Sequence, residues 1–198
     1  MEQVGRAATV DDIGAVASCL ASAFFDDPLW GHWTFPDKTT RANDLVPFMR
    51  FWATCGVRHH PWLRTTEGGE AIAVWTPPGV LAVTPEQEQA MAALLDELFG
   101  PRAHELHAVF AQFEEHLPAG DYYHLEWWAT HRDHAGRGIG GALLRDNLAR
   151  IDAMRMPSYL ESTNPANRAR YESFGFRALR EFGPPGGPVI TTMWRDVH

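Results

Sequence analysis

Residues 134–144 read HAGRGIGGALL and set Gly136, Gly138 and Gly141 in the spacing G-x-G-x-x-G, just ahead of an apolar helical repeat. A glycine-rich turn from a strand into a helix leaves backbone N–H groups unpaired at the positive end of the helix dipole, which suits a phosphate or pyrophosphate. The same glycines would also serve a tight turn that lets a helix pack closely on a sheet, with no ligand involved. A dinucleotide-binding fold fits less well. It needs its first glycine almost directly after an apolar strand, at the start of a long double βαβαβ unit. Here HRDHA intervenes, and less than a third of the chain follows Gly141, although Glu161 stands at the spacing of a ribose-binding acid.

Acid–base chemistry has its candidates just upstream, in YYHLEWWAT (122–130). Strict alternation along a strand puts His124, Glu126, Trp128 and Thr130 on one face. Glu126 is the first candidate for a general base and His124, with an intrinsic pKa suited to the task, the second. The competing reading of Glu126 is an ion-paired or solvated strand carboxylate. Near the N-terminus, FFDDPLWGHW offers Asp26 and Asp27 as helix caps or cation-attracting groups, and Trp30 and Trp33 as core or staple aromatics. His104 and His107, and His131 and His134, are paired three apart, but neither pair has a third ligand at a metalloenzyme spacing, so no metal is expected.

Those residues need elements to hold them. VGRAAT (4–9) reads as a strand. Asp11 or Thr9 can cap the helix that follows, with Ile13, Val16, Ala17, Leu20 and Phe24 in register until Pro28 ends it. Pro36 to Cys55 is helical in pattern with Pro47 as an interruption. WLRTT, EGGE and AIAVWTPPG form a hairpin, and Pro85 to His116 is helical with a break at Gly100-Pro101. After the strand at 122–130 come the helix with Ile139, Leu143, Leu144, Leu148 and Ile151, the strand SYLEST, and a helix capped by Asn164 with Pro165 at its first position and Gly175 as its stop. FRALREF and VITTMWR are the last strands. This order predicts one α/β domain over 1–198 with a mixed sheet, and a helical insert at about 85–117.

With 198 residues, 45% of them apolar, the chain can bury a sizeable core. The formal charge of −8 argues against nucleic acid and favours a cationic ligand. The opening MEQVGRAATVDD has no signal-peptide pattern and no stretch of 18 apolar residues occurs, so a cytoplasmic protein that does not enter a membrane is expected. Cys19 and Cys55 are expected to be reduced thiols.

The run from Tyr122–Thr130 through AGRGIG, the helix, SYLEST and NPANRARYESFGF resembles the core of the GNAT superfamily of N-acyltransferases in order and spacing. Outside that core, ASAFFDDPLW, EAIAVWTPPG and GGPVITTMWR look like the branch that includes puromycin N-acetyltransferase. The resemblance implies a GNAT fold: a mostly antiparallel mixed sheet with a central, splayed parallel strand pair, flanked by helices. It implies acetyl-CoA as cosubstrate, an amine acceptor and direct attack on the thioester. The small-molecule amine of an antibiotic, an aminonucleoside or a biosynthetic intermediate is the first expectation. A protein N-terminal or lysine acetyltransferase, or a non-catalytic acyl-CoA-binding module, is the alternative. A homodimer is left open.

By the same resemblance, the backbone of Trp128, Ala129 and Thr130 would hold the pantetheine arm. His134, Ala135, Gly136, Arg137, Gly138, Ile139, Gly140 and Gly141 would hold the pyrophosphate, with Asn164 and Asn167 nearby. Asp26, Asp27, Trp30 and Trp33 would border the acceptor. Tyr171 would be the general acid, the alternative being a core tyrosine packed beside Phe174. A phenol of pKa near 10 gives a proton to a thiolate of about 8.5 uphill by roughly 2 kcal/mol, so positioning must help. The family usually carries Gln or Arg where this chain has Ala135; backbone amides survive that change, and His134 and Arg137 are placed to compensate.

Overall fold

The computed structural model describes residues 4–197. Seven strands, β1 (Arg6–Ala7), β2 (Leu63–Thr65), β3 (Ala71–Thr76), β4 (Tyr123–Thr130), β5 (Ser158–Ser162), β6 (Arg177–Phe182) and β7 (Ile190–Arg195), form one sheet in the order β1-β2-β3-β4-β5-β7-β6. Every pairing is antiparallel except β4 with β5. The helices are α1 (Ile13–Phe24), α2 (Arg41–Val57), α3 (Pro85–Phe99), α4 (Ala103–Glu115), α5 (Ile139–Ala153) and α6 (Arg168–Glu172). None of the described helices is long and apolar enough to cross a membrane.

Helices cover both faces of the sheet. One face packs Ile72, Val74, Trp127 and Ala129 against α1, α2 and the α3–α4 insert. The other packs Ala73, Trp75, Leu125 and Leu160 against Leu143, Leu144, Leu148 and Ile151 of α5. Each such fully buried aliphatic side chain contributes about 1.5–3 kcal/mol of burial energy, which fixes α5 and hence the glycine turn that opens it. Cys19 and Cys55 are free and buried.

Three local expectations change. The N-terminal strand is two residues long, because only Arg6 and Ala7 find partners on β2. Pro47 does not interrupt α2: Leu45, Phe48 and Met49 bury one stripe, and that packing carries the helix across the missing hydrogen bond. After α1, Pro28 opens a π-helical segment, Pro28–Trp33, rather than only ending the helix before it.

The fourth change matters most for the site. Val74 pairs with Trp127 but Trp75 pairs with Leu125, so Glu126 is an extra residue bulged out of β4. The bulge reverses the side-chain alternation. Trp128 and Thr130 face α5 and α6, whereas Glu126 and His124 turn to the α2–α4 side with Trp127. The expectation that all four share one face fails for that reason.

Candidate active site

β4 and β5 pair only from Tyr123 to Leu125, and beyond that point the two strands diverge. A cleft of about 320 Å³ fills the opening, bounded by the C-terminal half of β4, the glycine turn, residues 161–164 and α6. Among the described residues, the remaining β4 residues, 126–130, thus have no strand partner on the β5 side.

The turn at the mouth owes its shape to glycine. Gly136 and Gly138 have φ of 77° and 78°, a region strained for other residues, and a Cβ at either would meet nothing within 4 Å. Their backbones therefore lie open to the cleft. No side chain caps α5 at Gly138, so its first N–H groups stay available to an anion. Gly140 is needed for close approach: a Cβ there would collide with Thr130 Oγ1, and its carbonyl accepts the Trp128 indole N–H at 3.0 Å.

Of the residues expected at the coenzyme, Trp128, Ala129, Thr130, His134, Ala135, Gly136, Gly138, Ile139, Gly140, Asn164 and Asn167 line this cleft. Arg137 and Gly141 do not. The Arg137 guanidinium lies 3.4 Å from His134 Nδ1, and Gly141 is buried toward Phe174. Asn164 caps the short turn Pro165–Asn167, accepting from the Ala166 N–H at 3.0 Å. Arg170, which sequence reasoning passed over, also lines the cleft, with its guanidinium 4.2 Å from the centre of the Trp128 ring.

Tyr171 lines the cleft between Trp128 and Phe176, at ring-centre distances of 5.5 and 6.2 Å. Burial raises its pKa, Arg170 pulls the other way, and the Asp27 carboxylate adds to the rise. The phenol is therefore a weaker acid than in water, which would steepen the uphill proton transfer expected of a general acid here.

Asp26 is exposed and Asp27 buried at the near wall. Asp27 Oδ1 accepts from the Leu29 and Trp30 N–H groups at 2.9 Å each, and Oδ2 accepts from the Thr163 hydroxyl at 3.0 Å. Burial nevertheless raises its pKa against those three bonds. Trp30 lines the cleft, while Trp33 lies outside it and carries Arg102 over its ring.

On the other side of β4 lies a second cavity of about 290 Å³, walled by Trp30, Trp52, Phe110, Phe113 and Trp127. The two cavities share Trp30, Glu126, Trp127, Glu161 and Thr163. At this common wall His124 lies between two carboxylates, with Nδ1 3.0 Å from Glu126 Oε1 and Nε2 2.7 Å from Glu161 Oε2. Both ring nitrogens thus act as donors, which describes an imidazolium with no lone pair left to take a proton. Burial alone would depress its pKa, but the two carboxylates outweigh that and hold it well above the ordinary histidine value. Burial pushes Glu126 up, and His124 together with the Thr76 hydroxyl at 2.9 Å brings it to a net lowering. Glu161 had appeared only as a misplaced ribose acid; its proximity to His124 depends on the β4–β5 register, which one sequence does not reveal. Among the described residues, no three His, Cys, Asp or Glu side chains are arranged to hold a metal ion.

Residues 104–178, from α4 to the start of β6, match the family described as acetyltransferase (GNAT) domain. Solved structures resemble nearly the whole chain. A protein described as histone acetyltransferase HPA2 and related acetyltransferase, from Corynebacterium glutamicum, is 22% identical with a TM-score of 0.66, over 98% of this chain and 96% of that one. Arylalkylamine N-acetyltransferase 2 from Aedes aegypti is 11% identical with a TM-score of 0.61, over 98% of each chain. Drosophila melanogaster polyamine N-acetyltransferase is 15% identical with a TM-score of 0.54, over 97% of this chain and 98% of that one. The architecture is the GNAT fold, an open seven-stranded mixed sheet with one parallel pair, and the stretch from α4 to the start of β6 is similar to a GNAT acetyltransferase domain.

Proposed function

We propose that this chain is an N-acetyltransferase that moves the acetyl group of acetyl-CoA to the primary amine of a small molecule by direct attack on the thioester. The observation that carries the reading is the meeting of the two cavities at Glu126, Trp127, Glu161 and Thr163, with the glycine turn at the far mouth of one and an aromatic chamber filling the other. The open backbone at Gly136 and Gly138 fits a pyrophosphate, with Arg170 adding positive charge on the same cleft. The unpaired stretch of β4 fits the pantetheine amides, which would join it as an added strand does.

The amine nitrogen donates its lone pair to the thioester carbonyl and the C–N bond forms. The C–S bond then breaks and sulfur leaves as thiolate. A β4 amide N–H would polarise the carbonyl oxygen. Tyr171 gives its phenolic proton to the sulfur, and the proton lost by the amine passes to a carboxylate at the common wall, with Glu126 as the assigned base. Burial pushes the thiol of Cys19 up to about 12 and that of Cys55 to about 11, so neither supplies a thiolate for an acyl-enzyme near neutral pH.

An antibiotic, an aminonucleoside or a biosynthetic intermediate fits the small-amine class, and the names of the Aedes and Drosophila enzymes are consistent with it. A protein lysine or N-terminal amine is the second reading, favoured by the description of the Corynebacterium protein. Continuous thiol release from acetyl-CoA, with puromycin, aminoglycosides, polyamines and amino acids as acceptors, separates them. Turnover on a small amine, lowered about 10²–10⁴-fold by Tyr171→Phe in a folded protein, is expected. Turnover on peptides alone would favour the second reading. Acetyl-CoA binding with no acceptor at all would leave a binding module.

A further inference from the structure

The aromatic chamber has a chemistry of its own. The Trp30 ring centre lies 5.7 Å from that of Phe110 and 5.8 Å from that of Phe113, and the Trp52 ring centre lies 5.8 Å from Phe110 and 5.6 Å from Trp127. Such walls favour a large apolar or aromatic body. One end is different. There the carboxylates of Glu126 and Glu161 flank a single imidazolium, which leaves the cluster one net negative charge. Glu161 is 5% exposed at its side chain. Its Oε2 is taken by His124, but its Oε1 is buried with no hydrogen-bond partner among the described residues. The neighbouring Tyr159 hydroxyl interacts with this carboxylate by charge and hydrogen bonding and also donates to the His116 carbonyl at 3.2 Å, so it is shared and leaves Oε1 without a donor of its own. A buried carboxylate oxygen without a donor is costly unless a ligand supplies one. Glu161 also lines both cavities, where an amine about to meet the thioester must sit. Glu88 and Glu114 stand at the exposed chamber rim, in high dielectric, and can draw amines in without holding a second charge firmly.

We propose that the chamber is the acceptor subsite for a primary amine with one positive charge and a bulky apolar or aromatic body, and that Glu161 holds its ammonium. This rests on the acetyltransferase reading for its chemistry, but its test is binding. Titration of the chain by calorimetry, with and without coenzyme A, compares 2-phenylethylamine and tryptamine with butylamine, spermidine and the uncharged 2-phenylethanol. The arylalkylamines bind at least about tenfold more tightly than butylamine or spermidine, a difference of roughly 1.4 kcal/mol. Glu161→Gln weakens the arylalkylamines by about tenfold or more while 2-phenylethanol and coenzyme A bind as before. A merely structural Glu161 would alter amine and alcohol together. Spermidine binding as tightly as tryptamine, or amine binding that ignores Glu161→Gln, overturns the proposal; the wild-type series decides even if the variant misfolds. Selective amine binding without thiol release would leave the subsite standing and remove the acetyltransferase reading. Turnover confined to polyamines would do the reverse.

Discussion

Asp27 offers a sharp test of what the near wall does, because acceptor binding and local architecture make opposite demands on it. Its carboxylate accepts two backbone N–H groups that open Pro28–Trp33 and the hydroxyl of Thr163 at the end of β5. Asp27→Ala removes a helix cap, which costs about 0.5–2 kcal/mol. It also strands a second buried N–H and leaves the hydroxyl to reorient, at about 1–3 kcal/mol for an unsatisfied group. Relief of the buried charge offsets part of this, so the net loss is about 2–4 kcal/mol. With an m-value of about 2–3 kcal/mol/M in urea, the midpoint falls by roughly 1–1.5 M. Asp27→Asn keeps an oxygen for both N–H groups and turns an amide toward a hydroxyl that can rotate to accept, so its midpoint at neutral pH stays near the wild type. The sign of the pH effect separates them further. Because burial raises the folded carboxyl, the native state keeps its proton to higher pH than the unfolded chain. This residue's contribution to stability therefore falls as pH rises from the unfolded value, near 3.8, through the folded one. Asp27→Asn abolishes that slope. An Asp27→Ala protein with an unchanged urea midpoint but a tenfold higher KM for the amine would refute the architectural role and return Asp27 to acceptor binding.

Further outcomes follow from the same geometry. His124 is held as an imidazolium between two carboxylates, so the kcat/KM profile against pH should carry no inflection near 6.5 and should rise toward the pKa of the acceptor amine. A clear limb near 6.5 that disappears in His124→Gln would make His124 the base after all. The raised value also means that the imidazolium's stabilising contribution is fully present below about 6.5 and is lost as pH climbs through the folded value, which urea midpoints across that range would track. Gly140→Ala drives a methyl into Thr130 Oγ1 and pushes α5 from β4, costing about 1–3 kcal/mol of stability and weakening acetyl-CoA binding in calorimetry. Unchanged coenzyme affinity would remove the close α5–β4 approach from the coenzyme's site.

Much of this arrangement was legible in the residues. The glycines of 136–141, the Asn164-Pro165 helix start and the apolar register of α5 each combine a local signal with a local cause, and the structure has the turn and both helices there. The parity of β4 was not legible. Period-2 alternation is sound until a bulge intervenes, and the bulge at Glu126 arises from how β3 and β4 pair, not from any residue type in YHLEWWAT. Glu161 was hidden for a related reason: it reaches His124 only because Tyr159 sits opposite His124 in the parallel pair. The aromatic chamber draws on α2, α4, the π-helical segment and β4, which are far apart in the chain, so the sequence left Trp30 open between core and acceptor wall, and in the structure it serves as both.

Direct transfer between two substrates held on either side of the common wall is tested most plainly by initial rates with acetyl-CoA and an accepted amine varied together, alongside the intact mass of the protein after acetyl-CoA alone. Intersecting double-reciprocal lines and an unmodified protein mass are expected. Parallel lines with an acetylated protein that passes its acetyl group to the amine would mean a covalent intermediate, and would contradict attack by the amine on the bound thioester.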